Sequence, residues 1–209
     1  KVGSYSAANT FPGKLLKLND LCISTVGDIR PIHVQLCPTN ICNLNCPFCS
    51  CSNREKTQQL GIQDLINTMN TFSNLGTKAV TITGGGEPCC HPDLSVLLKV
   101  ISLLGISSGM VSNGLLLGKV ENFLHYLTWC RVSASDDRDI DTLLTVLNSI
   151  VPNVPIDWAI SYVVTAKFDL EKLKKVVCFA NDHNFTHVRV VSDLMDLDNI
   201  VTMDYIKSQ

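Results

Sequence analysis

Short apolar runs alternate with longer stretches of helical periodicity from Ile32 to the end of this chain. Six of the runs have the length and composition of strands. They are His33–Cys37, Ala79–Thr83, Ser108–Ser112, Cys130–Ser135, Ile156–Val164 and His187–Ser192. Strands that alternate with helices in this way are typical of βα units in a parallel sheet.

The stretches between these runs predict helices. The clearest extends from Ile62 to Leu75, where apolar residues recur at helical spacing until Gly76 ends the pattern. Further helices are predicted from Pro92 to Gly105, Lys119 to Leu127, Asp139 to Ile150 and Leu170 to Asn184. The sequence therefore predicts an α/β fold of six βα repeats, although periodicity alone does not separate a partial barrel from a doubly wound open sheet.

The first 31 residues do not follow this pattern. They mix Gly, Ser, Asn and Thr with short apolar pieces, so we expect a short N-terminal leader (1–31) packed on one core domain (32–209). A length of 209 residues is within the usual range of a single domain. Because the chain starts at Lys1 and not at a methionine, we also expect terminal segments beyond those given.

Composition narrows the range of partners and compartments. The net charge is −2 and no run of lysines or arginines occurs, which disfavours nucleic acid as a partner. No apolar stretch approaches the roughly 18 residues of a membrane span, and the N-terminus lacks the pattern of a signal peptide. We therefore expect a cytoplasmic protein, in which ten cysteines point to metal binding and not to a disulfide framework.

Three cysteines directly after the first predicted strand form the most informative pattern. Cys42, Cys46 and Cys49 are spaced by four and three residues. Protein-held four-iron clusters normally take four cysteines, so three would leave one iron open to another ligand. An open metal position is a place for chemistry.

A glycine triplet follows the second predicted strand. Gly84, Gly85 and Gly86 permit a close approach to the backbone and permit positive φ, and Glu87 offers an acceptor for an amino group. The lysine of a phosphate-binding P-loop is absent, and a glutamate would repel phosphate. Both motifs are therefore expected at the carboxyl ends of neighbouring strands, where α/β folds place their functional loops.

Together, the CxxxCxxC and GGE motifs resemble those of the radical S-adenosylmethionine (radical SAM) superfamily, from about Ile32 to the C-terminus. The resemblance implies a partial (β/α)6 barrel, a [4Fe–4S] cluster on Cys42, Cys46 and Cys49, and S-adenosylmethionine on the open iron. It also implies that Glu87 and the glycine backbone receive the amino group of this cofactor, and that Phe48 lies beside its adenine.

Further cofactor contacts are implied at the later strands. Ser112 and Asn113 stand where the superfamily has a TNG loop, and Ser133 stands in a segment similar to its VSxD motif, here with the acid one place late at Asp136. Ser133 would bond the ribose or carboxylate of the cofactor. The backbone near Val191 would face the adenine.

The chemistry implied by the resemblance is reductive cleavage of S-adenosylmethionine to a 5′-deoxyadenosyl radical, which abstracts hydrogen from a substrate. We expect a peptide or small-metabolite substrate and a low-potential electron donor such as a flavodoxin or ferredoxin. A noncatalytic iron-sulfur protein for electron transfer or redox sensing is the alternative. It would not need the glycine loop.

Two other questions concern the cysteines. Cys51 would be the fourth ligand of a zinc site, which is the alternative to a cluster. The thiols of Cys51, Cys89 and Cys90 fall near the same strand ends, so each is a candidate hydrogen-atom donor or additional metal ligand. The simpler interpretation is that they are small buried side chains.

Overall fold

The sheet contains six parallel strands in the order of the sequence, as seen in a computed structural model that describes residues 30–196 and 203–208. The strands are His33–Leu36 (β1), Ala79–Ile82 (β2), Ser107–Ser112 (β3), Trp129–Ser135 (β4), Asp157–Val164 (β5) and His187–Ser192 (β6). All six predicted strands are therefore confirmed. The predicted leader falls almost wholly on residues 1–29, outside the described residues, and the division at residue 31 stays a prediction.

Within the described residues, α-helices follow five of the six strands. They are Ile62–Asn74 (α1), Leu94–Leu103 (α2), Ile140–Ile150 (α3), Leu170–Asp182 (α4) and Met203–Ser208 (α5). Gly76 and Gly105 adopt positive φ directly after α1 and α2, as glycines that end helices do. The side chains of Asp139 and Asp169 accept backbone N–H bonds at the starts of α3 and α4.

One predicted helix, from Lys119 to Leu127, is wrong. The connection between β3 and β4 instead forms two 3₁₀ segments, Leu117–Lys119 and Glu121–Tyr126. Gly118 and Asn122 are poor helix formers, and such a short connection favours the tighter turn. Leu117 and Leu124 are nevertheless fully buried, so the apolar spacing that suggested a helix reports burial.

The strand order decides between the two architectures that periodicity left open. A doubly wound sheet reverses its strand order at a switch point, whereas here each strand pairs with the next from β1 to β6. Within the described residues, β1 and β6 do not pair with each other, so the sheet is an open, partial barrel.

The two faces of the sheet differ in chemistry. One face packs on the helices through buried apolar side chains, among them Val80, Ile82, Met110, Val132, Ile160 and Tyr162. Residues that alternate with these along the strands point to the opposite face, which we call the inner face. Within the described residues, no helix is both long and apolar enough to span a membrane.

Candidate functional site

The two motifs lie against each other through backbone hydrogen bonds. Residues 37–54 after β1, the cysteine loop, and residues 83–87 after β2, the glycine loop, meet at the carboxyl ends of their strands. Gly86 N–H donates to Thr39 O at 3.0 Å, and Glu87 N–H donates to Ile41 O at 2.8 Å. The start of the cysteine loop is held on its other side by Asn40 N–H, which donates to Gln58 O.

The glycines are needed for this close packing. A Cβ on Gly86 would overlap Ile41 O, and a Cβ on Gly85 would overlap Asn40 Oδ1. Neither residue has a positive φ, and Gly84 does not have one either. The close approach expected of the triplet is therefore present, but the group that approaches is the cysteine loop itself.

Glu87 ties the glycine loop to the end of β3. Its side chain is 3% exposed, and Oε1 accepts from Ser112 Oγ at 2.7 Å and from Cys89 N–H at 3.1 Å. Oε2 accepts from Asn113 N–H at 2.6 Å. The carboxylate thus fixes the positions of Ser112 and Asn113, two of the predicted cofactor-binding residues.

Asn113 continues the connection back to the cysteine loop. Its Nδ2 donates to Asn43 Oδ1 at 2.7 Å, and Asn43 lies between Cys42 and Cys46. Three strand-end loops are therefore joined by hydrogen bonds, and Asn43 is a positioning residue that the sequence analysis did not identify.

Each of the three cysteine sulfurs has an N–H donor. Cys42 Sγ accepts from Leu44 N–H at 3.4 Å, within the loop. Cys46 Sγ lies 3.4 Å from Arg138 Nη2, and Cys49 Sγ lies 3.7 Å from Arg54 Nη1. Two cationic side chains thus face sulfurs that would carry negative charge as metal ligands, and hydrogen bonds to cluster sulfurs are known to tune reduction potential.

These two arginines are held in place by backbone carbonyls. Arg54 donates to Asn40 O and to Cys51 O, both at 2.7 Å. Arg138 donates to Ser133 O. Both side chains are partly buried. Lys167, by contrast, is exposed and pairs with Asp137.

A cavity of about 230 Å³ opens beside Cys46 and Phe48. Asn113 and Arg138 also line it, and the Arg138 guanidinium lies 6.0 Å from the centre of the Phe48 ring. The cavity therefore joins the cysteine loop to the ends of β3 and β4. An aromatic ring next to a cation suits a flat, polar group such as a nucleobase or a carboxylate.

Two buried polar atoms at the end of β4 and directly after it have no hydrogen-bond partner within the described residues. They are Ser135 Oγ at the end of β4 and Arg138 Nε. Buried polar groups are nearly always hydrogen-bonded, so a water molecule or a ligand is expected to bind these atoms. Ser133, two residues before Ser135, alternates with buried Val132 and Ala134 and so points to the inner face.

Asp136, the acid that stands one place later than in the VSxD motif, has a structural role. It is 4% exposed and accepts hydrogen bonds from Tyr162 Oη, Thr165 N–H and Asp169 N–H. These bonds connect the loops after β4 and β5. Burial is the main cause that raises the pKa of Tyr162, and the hydrogen bond to Asp136 raises it further.

The additional cysteines occupy different environments. Cys89 is 3% exposed, and burial together with the Glu87 charge raises the pKa of its thiol. Burial also raises the pKa of Cys90, whose Sγ lies 4.0 Å from Asn43 Oδ1. Cys51 lies near Cys37, whose pKa is raised by burial and then by Cys51.

Val191 lies on β6, at the opposite edge of the sheet from β1 and the cysteine loop.

All nine cysteines of the described residues are free thiols.

The donor set is compatible with a four-iron cluster. Zinc sites place several ligands at about 2.3 Å from one centre, yet within residues 30–196 and 203–208 no three His, Cys, Asp or Glu side chains converge in this way. In a four-iron cluster each thiolate binds its own iron. Three thiols with separate N–H donors, next to orphaned polar atoms, are compatible with that arrangement and with a ligand beside it.

Comparison with known families decides the membership of the chain. A sequence model of the Radical SAM superfamily matches residues 36–140, which include both loops and are more than half of the chain. The chain belongs to the radical SAM superfamily. This superfamily uses a [4Fe–4S] cluster and S-adenosylmethionine, as the resemblance of the motifs implied.

Radical SAM enzymes are also found among the curated relatives. GTP 3′,8-cyclase of Psychromonas ingrahamii is 26% identical over 206 residues, covering 94% of this chain and 55% of the cyclase. GTP 3′,8-cyclase of Staphylococcus aureus is 32% identical over 131 residues, covering 57% of this chain and 38% of the cyclase. This chain therefore spans about half, or less, of the length of these radical SAM relatives.

Solved structures show the same fold. SuiB of Streptococcus suis, bound to its precursor peptide SuiA, superposes with a TM-score of 0.68 at 21% identity, covering 92% of this chain and 46% of SuiB. SuiB bound to S-adenosylmethionine gives a TM-score of 0.68 at 20% identity, covering 95% of this chain and 50% of SuiB. The predicted partial barrel of the radical SAM type is thereby confirmed.

Proposed function

We propose that this chain is a radical SAM enzyme in which Cys42, Cys46 and Cys49 hold a [4Fe–4S] cluster beside bound S-adenosylmethionine. When bound there, the cluster would supply the electron for reductive cleavage of S-adenosylmethionine, whose adenosyl fragment would take a hydrogen atom from the substrate. The observation that carries this proposal is the junction of the two loops, which holds the cysteine loop, with its three N–H-bonded sulfurs, against the backbone of Gly86 and Glu87 and beside a cavity lined by Cys46.

The protein's own residues bind and orient the cofactor in this proposal. Phe48 and Arg138 line the cavity and offer an aromatic face and a cation. Ser133, Ser135 and the backbone near Val191 supply polar contacts from β4 and β6, and Ser135 Oγ is one of the buried polar atoms that have no partner within the described residues.

Glu87 remains the proposed acceptor for the amino group of the cofactor. Within the described residues its Oε2 accepts one hydrogen bond, so one lone pair is left for such a donor. Gly84, Gly85 and Gly86 contribute backbone to the same corner. Glu87 would then act both on the cofactor and on the loop positions that hold Ser112 and Asn113.

The substrate is proposed to be a peptide or a small metabolite. The cyclases named above act on GTP, a small anionic metabolite, and SuiB was solved with a peptide. An electron must come from outside the chain, and a flavodoxin or ferredoxin would supply it. A reduced, low-potential cluster is consistent with the expected cytoplasmic location, which stays a prediction.

The test is product formation by the reconstituted protein. The chain would be loaded anaerobically with iron and sulfide, reduced with dithionite and mixed with S-adenosylmethionine, and 5′-deoxyadenosine and methionine would be measured by mass spectrometry. Cys46→Ala should abolish both products. Cys178→Ala, which removes an exposed thiol on α4, is the matched control and should retain them.

Other outcomes would assign the chain differently. A brown, reducible protein that forms neither product with dithionite or with reduced flavodoxin would contradict the proposal and favour the electron-transfer or sensing function. Equal product from Cys46→Ala and wild type would contradict the assigned ligands.

A further inference from the structure

The inner face of the sheet is unusually polar for parallel strands. Parallel sheets are normally covered on both faces and carry apolar side chains on each. Here the inner face of β1 and β2 carries His33, whose Nε2 lies 2.9 Å from Thr81 Oγ1. The inner positions of β4, β5 and β6 include Arg131, Ser133, Ser161, His187 and Arg189. Polar side chains there indicate that this face meets a ligand and not a second apolar layer.

Three basic side chains surround a strip of small residues on this face. In the sheet register, Arg131 on β4 is opposite Ala159 on β5, which is opposite His187 on β6. Strands lie about 4.8 Å apart, so roughly 10 Å separates the first and last backbones with only a methyl group between them. In the next row toward the carboxyl ends, Ser133 on β4 is opposite Ser161 on β5, which is opposite Arg189 on β6.

The three basic groups share one electrostatic environment. Burial lowers the pKa of His187, and the charges of Arg131 and then Arg189 lower it further. Arg189 is exposed and forms no salt bridge within the described residues. Within the six strands, one acidic residue is on this face. It is Asp157, the first residue of β5, at the amino end of the strand.

The region formed by Arg131, His187 and Arg189 and the small residues between them, which we call the basic strip, is continuous with the candidate site. The carbonyl of Ser133, in the same row as Arg189, accepts a hydrogen bond from Arg138, and Arg138 in turn donates to Cys46 Sγ. A ligand held at the strip would therefore extend toward the cavity next to Phe48.

We propose that Arg131 and Arg189 bind an anionic group of the substrate, a phosphate or a carboxylate, on the inner face of β4 to β6, with the hydroxyl of Ser161 as a further donor. Guanidinium groups bind both anions in bidentate fashion, and small neighbouring side chains leave the space that such a group needs. This inference rests on the proposed function, since it assigns the substrate's anchor to the same site.

The experiment measures binding of simple anions to the reconstituted protein by isothermal titration calorimetry. Tripolyphosphate and glutarate would be titrated separately at one fixed ionic strength, with and without S-adenosylmethionine, because surface binding of anions depends on salt. Arg189→Gln should weaken binding by about tenfold or more, as expected for the loss of a charged hydrogen-bonding partner. Arg189→Lys should recover part of it, and Lys99→Gln, an exposed cation on α2, should bind like wild type.

Binding of tripolyphosphate would assign a phosphate to the strip, and binding of glutarate would assign a carboxylate. The proposal is overturned if neither anion binds, or if Arg189→Gln and Lys99→Gln behave alike. Formation of 5′-deoxyadenosine would be measured in the same preparation. Product without anion binding refutes only the anion site, whereas anion binding without product refutes only the proposed function.

Discussion

Arg138 connects more parts of the candidate site than any other single side chain described above. It donates to Cys46 Sγ and to the carbonyl of Ser133, and it lies over the ring of Phe48. Its position directly after β4 explains how one residue reaches both the cysteine loop and the cavity. We interpret Arg138 as a positioning residue that also sets the electrostatics of the sulfurs.

Removing this arginine should lower the reduction potential of the cluster. One hydrogen bond to sulfur is worth about 1 kcal/mol, which corresponds to roughly 40 mV for a one-electron couple. Arg138→Gln removes the charge and leaves a shorter side chain with an amide donor, whereas Arg138→Lys keeps the charge, so the first should show the larger shift. A redox titration followed by electron paramagnetic resonance measures it, with Lys167→Gln as the exposed control. Identical potentials in Arg138→Gln and the control would contradict this role.

Glu87→Gln tests the buried carboxylate. An amide can accept at only one of its two positions, so a donor from Ser112, Cys89 or Asn113 would face an N–H group. The free energy of unfolding should fall by about 1–3 kcal/mol, the usual cost of an unsatisfied buried partner. Urea denaturation measures this change, and Glu171→Gln, in an exposed ion pair on α4, should change it little. If the two variants are equally stable, the carboxylate does not hold the loops together.

At the scale of the elements, the contact between the cysteine loop and the glycine loop is decisive. Both loops were placed at neighbouring strand ends from the sequence, because apolar runs marked the strands and parallel strands end at one edge. The packing of Gly85 and Gly86 against Asn40 and Ile41 could not be predicted in this way. Such contacts depend on the three-dimensional path of both loops, which has no local signature in the sequence.

Gly86→Ala should separate these loops. Its Cβ would overlap Ile41 O, and overpacking of this kind typically costs about 1–3 kcal/mol. We expect less iron bound after reconstitution and weaker binding of S-adenosylmethionine, measured by iron analysis and equilibrium dialysis. Gly118→Ala is the matched control, because nothing lies within 4 Å of its added Cβ. Full iron binding by Gly86→Ala would show that the contact is dispensable.

The loops after β4 and β5 give a prediction about pH. Burial and the bond to Asp136 raise the pKa of Tyr162, so this phenol resists ionisation in the folded state. The unfolded chain ionises its tyrosines near pH 10, and stability should fall as the pH rises above that value. Tyr162→Phe should be less stable at pH 7 by about 1–3 kcal/mol, because Asp136 loses a partner.

Between pH 9 and pH 11, the free energy of unfolding of Tyr162→Phe should fall less steeply than that of the wild type. The variant lacks the phenol whose pKa is raised in the folded state. Burial raises the pKa values of the Cys89 and Cys130 thiols. These thiols are present in both proteins, so both should still lose some stability as the pH rises. Urea unfolding at several pH values measures the difference. Parallel pH profiles for Tyr162→Phe and wild type would contradict the assignment to Tyr162.

For the whole molecule, the sequence predicted the six strands and the superfamily, because both depend on short-range signals: apolar runs, glycines and cysteine spacing. It did not predict the roles of Arg54, Arg138 and Asn43, since single polar residues carry no spacing pattern that reveals their partners. The helix predicted between β3 and β4 failed for a related reason, because buried leucines at helical spacing also suit 3₁₀ turns.

Three cysteines are proposed to hold a cluster whose remaining iron is available to S-adenosylmethionine. Electron paramagnetic resonance of the dithionite-reduced, reconstituted chain tests this claim directly, before and after addition of S-adenosylmethionine. We expect a reduced four-iron signal that changes when the cofactor is added and is lost in Cys46→Ala. A signal that is identical with and without S-adenosylmethionine would contradict it.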